Sequence, residues 1–325
     1  MSRPTHIHSR LRAHVAGRAV ACVLLALTLL TNAPALIRAR PSNVSQSNQL
    51  RRLTRADVAL LEDLEHRAFL FFLEQADPHT GLVRDRARTN GEAHDAAHPS
   101  HDIASSAATG FGLTALCIAT GRGWVTRDEA RGRVITTLRF FAERASQEHG
   151  WFLHWMDART GARRWNSEYS SIDTALLLAG ALTARACFSD DREIRRLATK
   201  IYERVDFQWM LAGHPTLLSH GWRPETGFLK SRWDNYSEHL VLQLLAVGSP
   251  THPITPRAWL AWERRRITYA NYTFLNGGPL FTHQYSQAWV DFRGWRERWY
   301  PHTNYFDNSV AATRAHRQFC LDLAR

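Results

Sequence analysis

Two acidic residues sit among aromatic and small polar neighbours: Glu168 in Trp165-Asn166-Ser167-Glu168-Tyr169-Ser170-Ser171-Ile172-Asp173, and Glu238 in Arg232-Trp233-Asp234-Asn235-Tyr236-Ser237-Glu238. A carboxyl pressed against aromatic rings loses water, which favours its protonated form and suits it to deliver a proton. A second carboxyl that stays ionised supplies the matching base or nucleophile, and cleavage of a glycosidic bond is one reaction built on such a pair. Each position also has a plainer reading. Glu168 and Asp173 precede the apolar run Thr174–Leu182, where a helix N-terminus favours negative charge. Asp234 and Glu238 are four apart and would share one face of a continuous helix, or act as its N-cap and first-turn acid.

Two further clusters carry polar chemistry. In Phe281–Arg293, His283, Gln284 and Asp291 are suited to hydrogen-bond hydroxyl groups while Tyr285 and Trp289 offer flat stacking faces; the same segment also reads as an ordinary helix with a polar start. Asp102, in His101-Asp102-Ile103-Ala104, is a substrate contact or a helix cap. The small residues of Ser105–Gly112 permit close helix packing, and no strand precedes them as a phosphate-binding loop would require. The 17 histidines show no HExxH or HxxEH spacing, so neither a catalytic metal nor a cofactor is expected. The 12 tryptophans serve a core or stack on sugar rings; composition leaves that choice open.

Helical patterns must position these groups. Apolar residues recur at three- and four-residue spacing over Asp57–Gln75, Ile103–Thr120 and onward from Thr126 to Ser146, with Thr54 and Thr126 as N-caps. Similar patterns cover Ser170–Phe188, Asp190–Asp206, Tyr236–Val247, Pro256–Arg264, Thr282–Val290 and Asn308–Leu323. Strand signals are few and short, the best at Trp151–His154. The expectation is an all-α chain of stacked helix pairs.

The N-terminus bears on compartment. Arg3, Arg10, Arg12 and Arg18 precede the apolar run Ala19–Leu30 and the triplet Ala33-Pro34-Ala35, the arrangement of a secretory signal, too short for a membrane-spanning helix. A marginal membrane anchor is the alternative reading of residues 1–35. Residues 36–53 read as a polar linker, and 54–325 as one domain. Removing 1–35 lowers the net charge from +11 to +7, spread over scattered arginines with a densest cluster at Arg264-Arg265-Arg266; neither nucleic-acid binding nor an obligate oligomer is expected. Of the four cysteines, Cys117, Cys187 and Cys320 lie in apolar helical patterns without paired spacing and read as inert thiols.

Several segments, in order, resemble the glycoamylase-like domain that includes the endo-β-1,2-glucanases of glycoside hydrolase family 144: residues 104–116, 133–141, 165–182, 220–228, 232–238, 246–254, 279–294 and 308–319. The resemblance implies an (α/α)6 toroid and hydrolysis of β-linked glucan, with Glu238 as general acid, Glu168, Asp173, Asp234, His283 and Asp291 lining the cleft, and another carboxylate contributed by the part of similar proteins that follows the segment at 308–319. Glu168 is the second catalytic candidate in this sequence, and Asp102, Trp165, Trp233, Tyr236, Gln284 and Tyr285 are further candidate substrate contacts. Similar proteins continue beyond the segment at 308–319, so the toroid is expected to be incomplete at its C-terminal side. A periplasmic or secreted, inverting endo-glucanase is the leading expectation. A glycan-binding domain or an inactive fragment is the alternative.

Overall fold

The structure, a computed structural model, describes residues 53–88, 97–300 and 303–324; the signal expected at 1–35 and nearly all of the linker expected at 36–53 lie outside the described residues. No helix among the described residues is long and apolar enough to cross a membrane.

Among the described residues seven α-helices carry the fold: α1 (Arg55–Glu74), α2 (Ser106–Arg122), α3 (Arg127–Glu143), α4 (Ser171–Cys187), α5 (Arg192–Glu203), α6 (Leu240–Val247) and α7 (Tyr305–Leu323). Thr54 caps α1 with a reciprocal capping box to Asp57, and Thr126 caps α3, as their sequences require. The helices alternate between two layers. α2 packs on α4 and α4 on α6, forming an inner row; α3 packs on α5 outside it, and α1 lies against α2.

The inner row is possible because its seam lacks side chains. A methyl group at Gly180 would sit 2.0 Å from the Gly110 carbonyl oxygen, and one at Gly110 would lie 2.3 Å from the Leu176 carbonyl oxygen. The backbones of α2 and α4 therefore touch, as the small residues at 105–112 led us to expect. Around them Leu113, Leu138, Phe141, Trp151, Phe152, Leu177 and Ile201 form one continuous core.

Four expected helices differ. Ile103–Ser105 is a strand, β1, paired antiparallel with Trp155–Asp157, so α2 starts later and is capped by Ser105 rather than Asp102. Residues 256–264 and 282–290 form only short 3-10 turns, Pro256–Leu260, Leu280–His283 and Tyr285–Ala288. α6 begins at Leu240, not Tyr236, so Asp234 and Glu238 lie on irregular backbone and share no helix face.

A hairpin escaped the sequence reading. Arg266–Tyr269 pairs with Tyr272–Leu275 through the two-residue turn Ala270-Asn271, whose φ angles of 46° and 66° give the twist that two-residue hairpins prefer. It packs on α7 through Phe274, Ala312 and Ala315. Beside it the basic triplet is not a uniform patch. Arg264 is buried at 2.9 Å from the equally buried Glu297, with the Trp259 indole donating to the same carboxylate.

Candidate active site

The N-terminal ends of α2 and α4 both meet the segment Phe152–His154. The Ser106 amide donates to the His154 carbonyl at 3.2 Å, and the Phe152 amide donates to the Thr174 hydroxyl at 2.9 Å. The loop carrying Glu168 closes over this end, because the His154 amide donates to the Glu168 carbonyl at 3.0 Å. Strand Tyr169–Ser170 then pairs with Gly221–Arg223 before the chain enters α4. Three separate stretches of sequence thus deliver polar side chains to one place.

His154 stands at its centre. Its Nδ1 lies 3.1 Å from Glu168 Oε1 and its Nε2 3.5 Å from Asp173 Oδ1, while its ring stacks on Trp155 at 3.5 Å. Burial disfavours an imidazolium, yet the Glu168 hydrogen bond and the charges of Asp173 and Asp85 outweigh it and raise the pKa. Burial likewise opposes ionisation of Glu168, but the His154 hydrogen bond and charge and the charge of Arg223 bring its carboxyl down to about 2. Asp173 goes the other way: burial pushes it up, against His154 and the Ser170 hydroxyl that donates to it at 2.5 Å. Neighbouring carboxyls whose pKa values diverge are a hallmark of acid–base sites.

Glu168, Asp173 and His154 could together offer three ligand atoms to a cation. The imidazole, however, spends both nitrogens on the two carboxylates. A protonated ring in that position supplies the positive charge that a metal ion would otherwise bring.

The charge of Glu238 acts on some of the same groups. Its carboxylate accepts from the Ser237 hydroxyl, and its backbone carbonyl accepts from Ser286 at 2.8 Å. The charges of Glu238, Asp234 and Glu168 all reach His220, whose pKa burial nevertheless lowers. Those of Glu238, Asp173 and Asp85 reach the Tyr285 hydroxyl, which burial already pushes up. Next to Glu238, His220, Trp233, Asp234, Tyr236 and Ser237 help line a groove of about 580 Å³.

The fold has known counterparts. Residues 230–325 match the Glycoamylase family model, described as "Putative glucoamylase". The C-terminal part of the chain is thus similar to a glycoamylase-like domain. Over 320 residues it is 24% identical to the exo β-1,2-glucooligosaccharide sophorohydrolase (non-reducing end) of Parabacteroides distasonis, covering 86% of this chain and 42% of that protein. The chain thus spans less than half the length of this curated relative. Its fold matches the endo-β-1,2-glucanase of Chitinophaga pinensis, solved with sophorotriose and glucose, at TM-score 0.71 and 24% identity, over 84% of this chain and 68% of that one. It also matches the β-1,2-glucanase of Parabacteroides distasonis at TM-score 0.69 and 22% identity, over 83% and 42% of the two chains.

The residues singled out from sequence fall into three groups. Glu168 and Asp173 meet at His154, the charges of Asp173 and Glu238 both act on Tyr285, and Asp234 lines the groove with His220. Trp165 is 41% exposed, edge-on to Trp155, with the Arg86 guanidinium 5.7 Å above its ring. Trp233 and Tyr236 touch the groove but are mostly buried. The Trp233 indole donates to Ser171 at 2.8 Å and stacks on His220, and Tyr236 accepts from Asn308 at 3.3 Å.

The third group has structural partners instead. Asp102 is buried between Arg84 at 2.6 Å and Arg159 at 3.0 Å, locking the turn into β1. His283 is buried against Asn308, while Gln284 is exposed on the far side of its turn beside α7. Asp291 is exposed and paired with Arg293 at 2.7 Å, two residues along. His154, Asp85 and Arg223 were not anticipated. Asp85 lies in a polar loop whose sequence carries no signal; His154 borders the strand expected at 151–154 and was legible only as its last residue.

Proposed function

We propose that this chain is a glycoside hydrolase acting on β-linked glucan, β-1,2-linked in the first instance, by an inverting mechanism. Two observations support the hydrolase reading: β-1,2-glucan hydrolases stand among its relatives, and the charges of two carboxyls from different inner-helix junctions, Glu168 and Glu238, both act on His220, which lines the groove. The second carries the mechanism.

In this reading Glu238 gives its proton to the departing glycosidic oxygen. A water on the opposite face attacks the anomeric carbon and passes a proton to Glu168. A carboxyl near 2 is a weak base toward bulk water. It suffices here, because a water bonding to an oxocarbenium-like carbon becomes strongly acidic. His154 and Arg223 hold Glu168 ionised and in place, and the exposed Trp165 offers a stacking face for a sugar ring at the rim. We further propose that the helix pairs belong to an (α/α)6 toroid and that the protein is exported to meet its polymer.

The test is release of reducing ends from linear β-1,2-glucan by the full chain and by Glu238→Gln. Release that is lost in the variant supports hydrolysis and the assignment of the acid. A folded wild type that binds glucan without cleaving it would turn the reading to glycan binding. The length distribution of products separates internal from terminal cleavage.

A further inference from the structure

Cys117 and Cys187 lie at equivalent places on the two helices that approach most closely. Both helices start from the same segment, since α2 and α4 bond to Phe152–His154 at their N-termini, so they run parallel. Their contact is fixed where Gly180 abuts the Gly110 carbonyl. Seven residues are close to two full helical turns and return to nearly the same face about 10 Å further along. Cys117 is seven residues after Gly110, and Cys187 seven after Gly180.

The far ends of the two helices are also joined. Arg127, at the start of α3 just beyond α2, places its guanidinium 4.7 Å above the ring of Phe188, the residue that ends α4. Both thiols are half-buried against one core, and Cys117 is pushed up by burial and then by its neighbour Cys187, with Arg127 opposing. Cys320 is exposed on α7, a separate element.

We propose that Cys117 and Cys187 form a disulfide that ties the C-terminal ends of α2 and α4 together when the protein meets a disulfide donor. The register brings the partners together, and the structure holds both as free thiols. One thiol loses its proton and attacks a sulfur of the donor disulfide, expelling one donor thiolate. The second cysteine then attacks the mixed disulfide and expels the other. The cysteine pair gives up two electrons and two protons, and the donor leaves as two thiols. Exported proteins meet such donors and cytosolic ones largely do not.

The experiment treats the folded full chain with oxidised glutathione, blocks remaining thiols with iodoacetamide and digests with trypsin. The expected product links the peptide ending at Arg122 to Ala186–Arg192, two hydrogens lighter than the separate peptides, with Cys320 alkylated. Alkylation or glutathionylation of both Cys117 and Cys187, or a bridge from either to Cys22 or Cys320, would overturn the proposal. Oxidation should also raise the melting temperature by roughly 5–10 °C. That gain should vanish in Cys117→Ser and in Cys187→Ser; an equal gain in the serine variants would overturn the assignment.

Discussion

His154 reaches Glu168 through Nδ1 at 3.1 Å while its opposite nitrogen lies 3.5 Å from Asp173, so one ring ties two carboxyls from different parts of the chain. The tie has a defined pH window. Glu168 falls from 4.5 to about 2 on folding, so its contribution is whole above pH 4.5 and is lost as pH drops toward 2. His154 rises above 6.5, so its contribution is whole below pH 6.5 and is lost as pH climbs through the raised value. The melting temperature of wild type minus that of His154→Gln should therefore peak between pH 4.5 and 6.5. A difference that does not change with pH would show that the ring acts by packing on Trp155 alone.

Replacing either proposed catalytic carboxyl should slow turnover far more than it weakens binding. Glu238→Gln and Glu168→Gln are each expected to lower kcat by about 10²–10⁴-fold with KM nearly unchanged. The double variant should be little worse than the single ones, because the two groups act in one step. Initial-rate kinetics on β-1,2-glucan decide this; full activity in Glu168→Gln would remove it from the mechanism.

Trp165 should behave oppositely. Its indole is exposed at the rim and has few partners to lose. Trp165→Ala is expected to raise KM by about 3–10-fold, the worth of one stacking contact, and to leave kcat alone. Isothermal titration with an oligosaccharide and Glu238→Gln as host would isolate the binding term.

Two glycine substitutions should have opposite signs. Gly180→Ala forces a methyl to 2.0 Å from the Gly110 oxygen and should cost about 3 kcal/mol or more. Gly132→Ala, inside α3 with open space around it, should instead gain about 0.5–1 kcal/mol. Urea unfolding of the two variants against wild type measures both.

Local chemistry made much of the fold legible. Thr54 and Thr126 cap helices because their partners are three residues away, and the small residues at 105–112 announce a close seam. What failed depended on distant partners. Ile103–Ser105 continues an apolar helical pattern, but Trp155–Asp157, some fifty residues on, draws it into a strand. In the site, Glu168 and Asp173 were visible as acids ahead of an apolar helix. Their link was not, because His154 reaches them across a loop. Asp291 is the converse case: its partner Arg293 lies only two positions away, a link legible in the sequence itself.

The glycine seam between α2 and α4 separates two kinds of evolutionary freedom. Gly110 and Gly180 admit almost no change, since any added atom collides with backbone. Glu168, Trp165, Asp85 and Glu238 sit on the connecting segments ahead of or between the helices, where length and sequence can vary without disturbing that seam. A lineage could thus trade one sugar linkage for another by rewriting loops, while the frame that holds them is inherited unaltered.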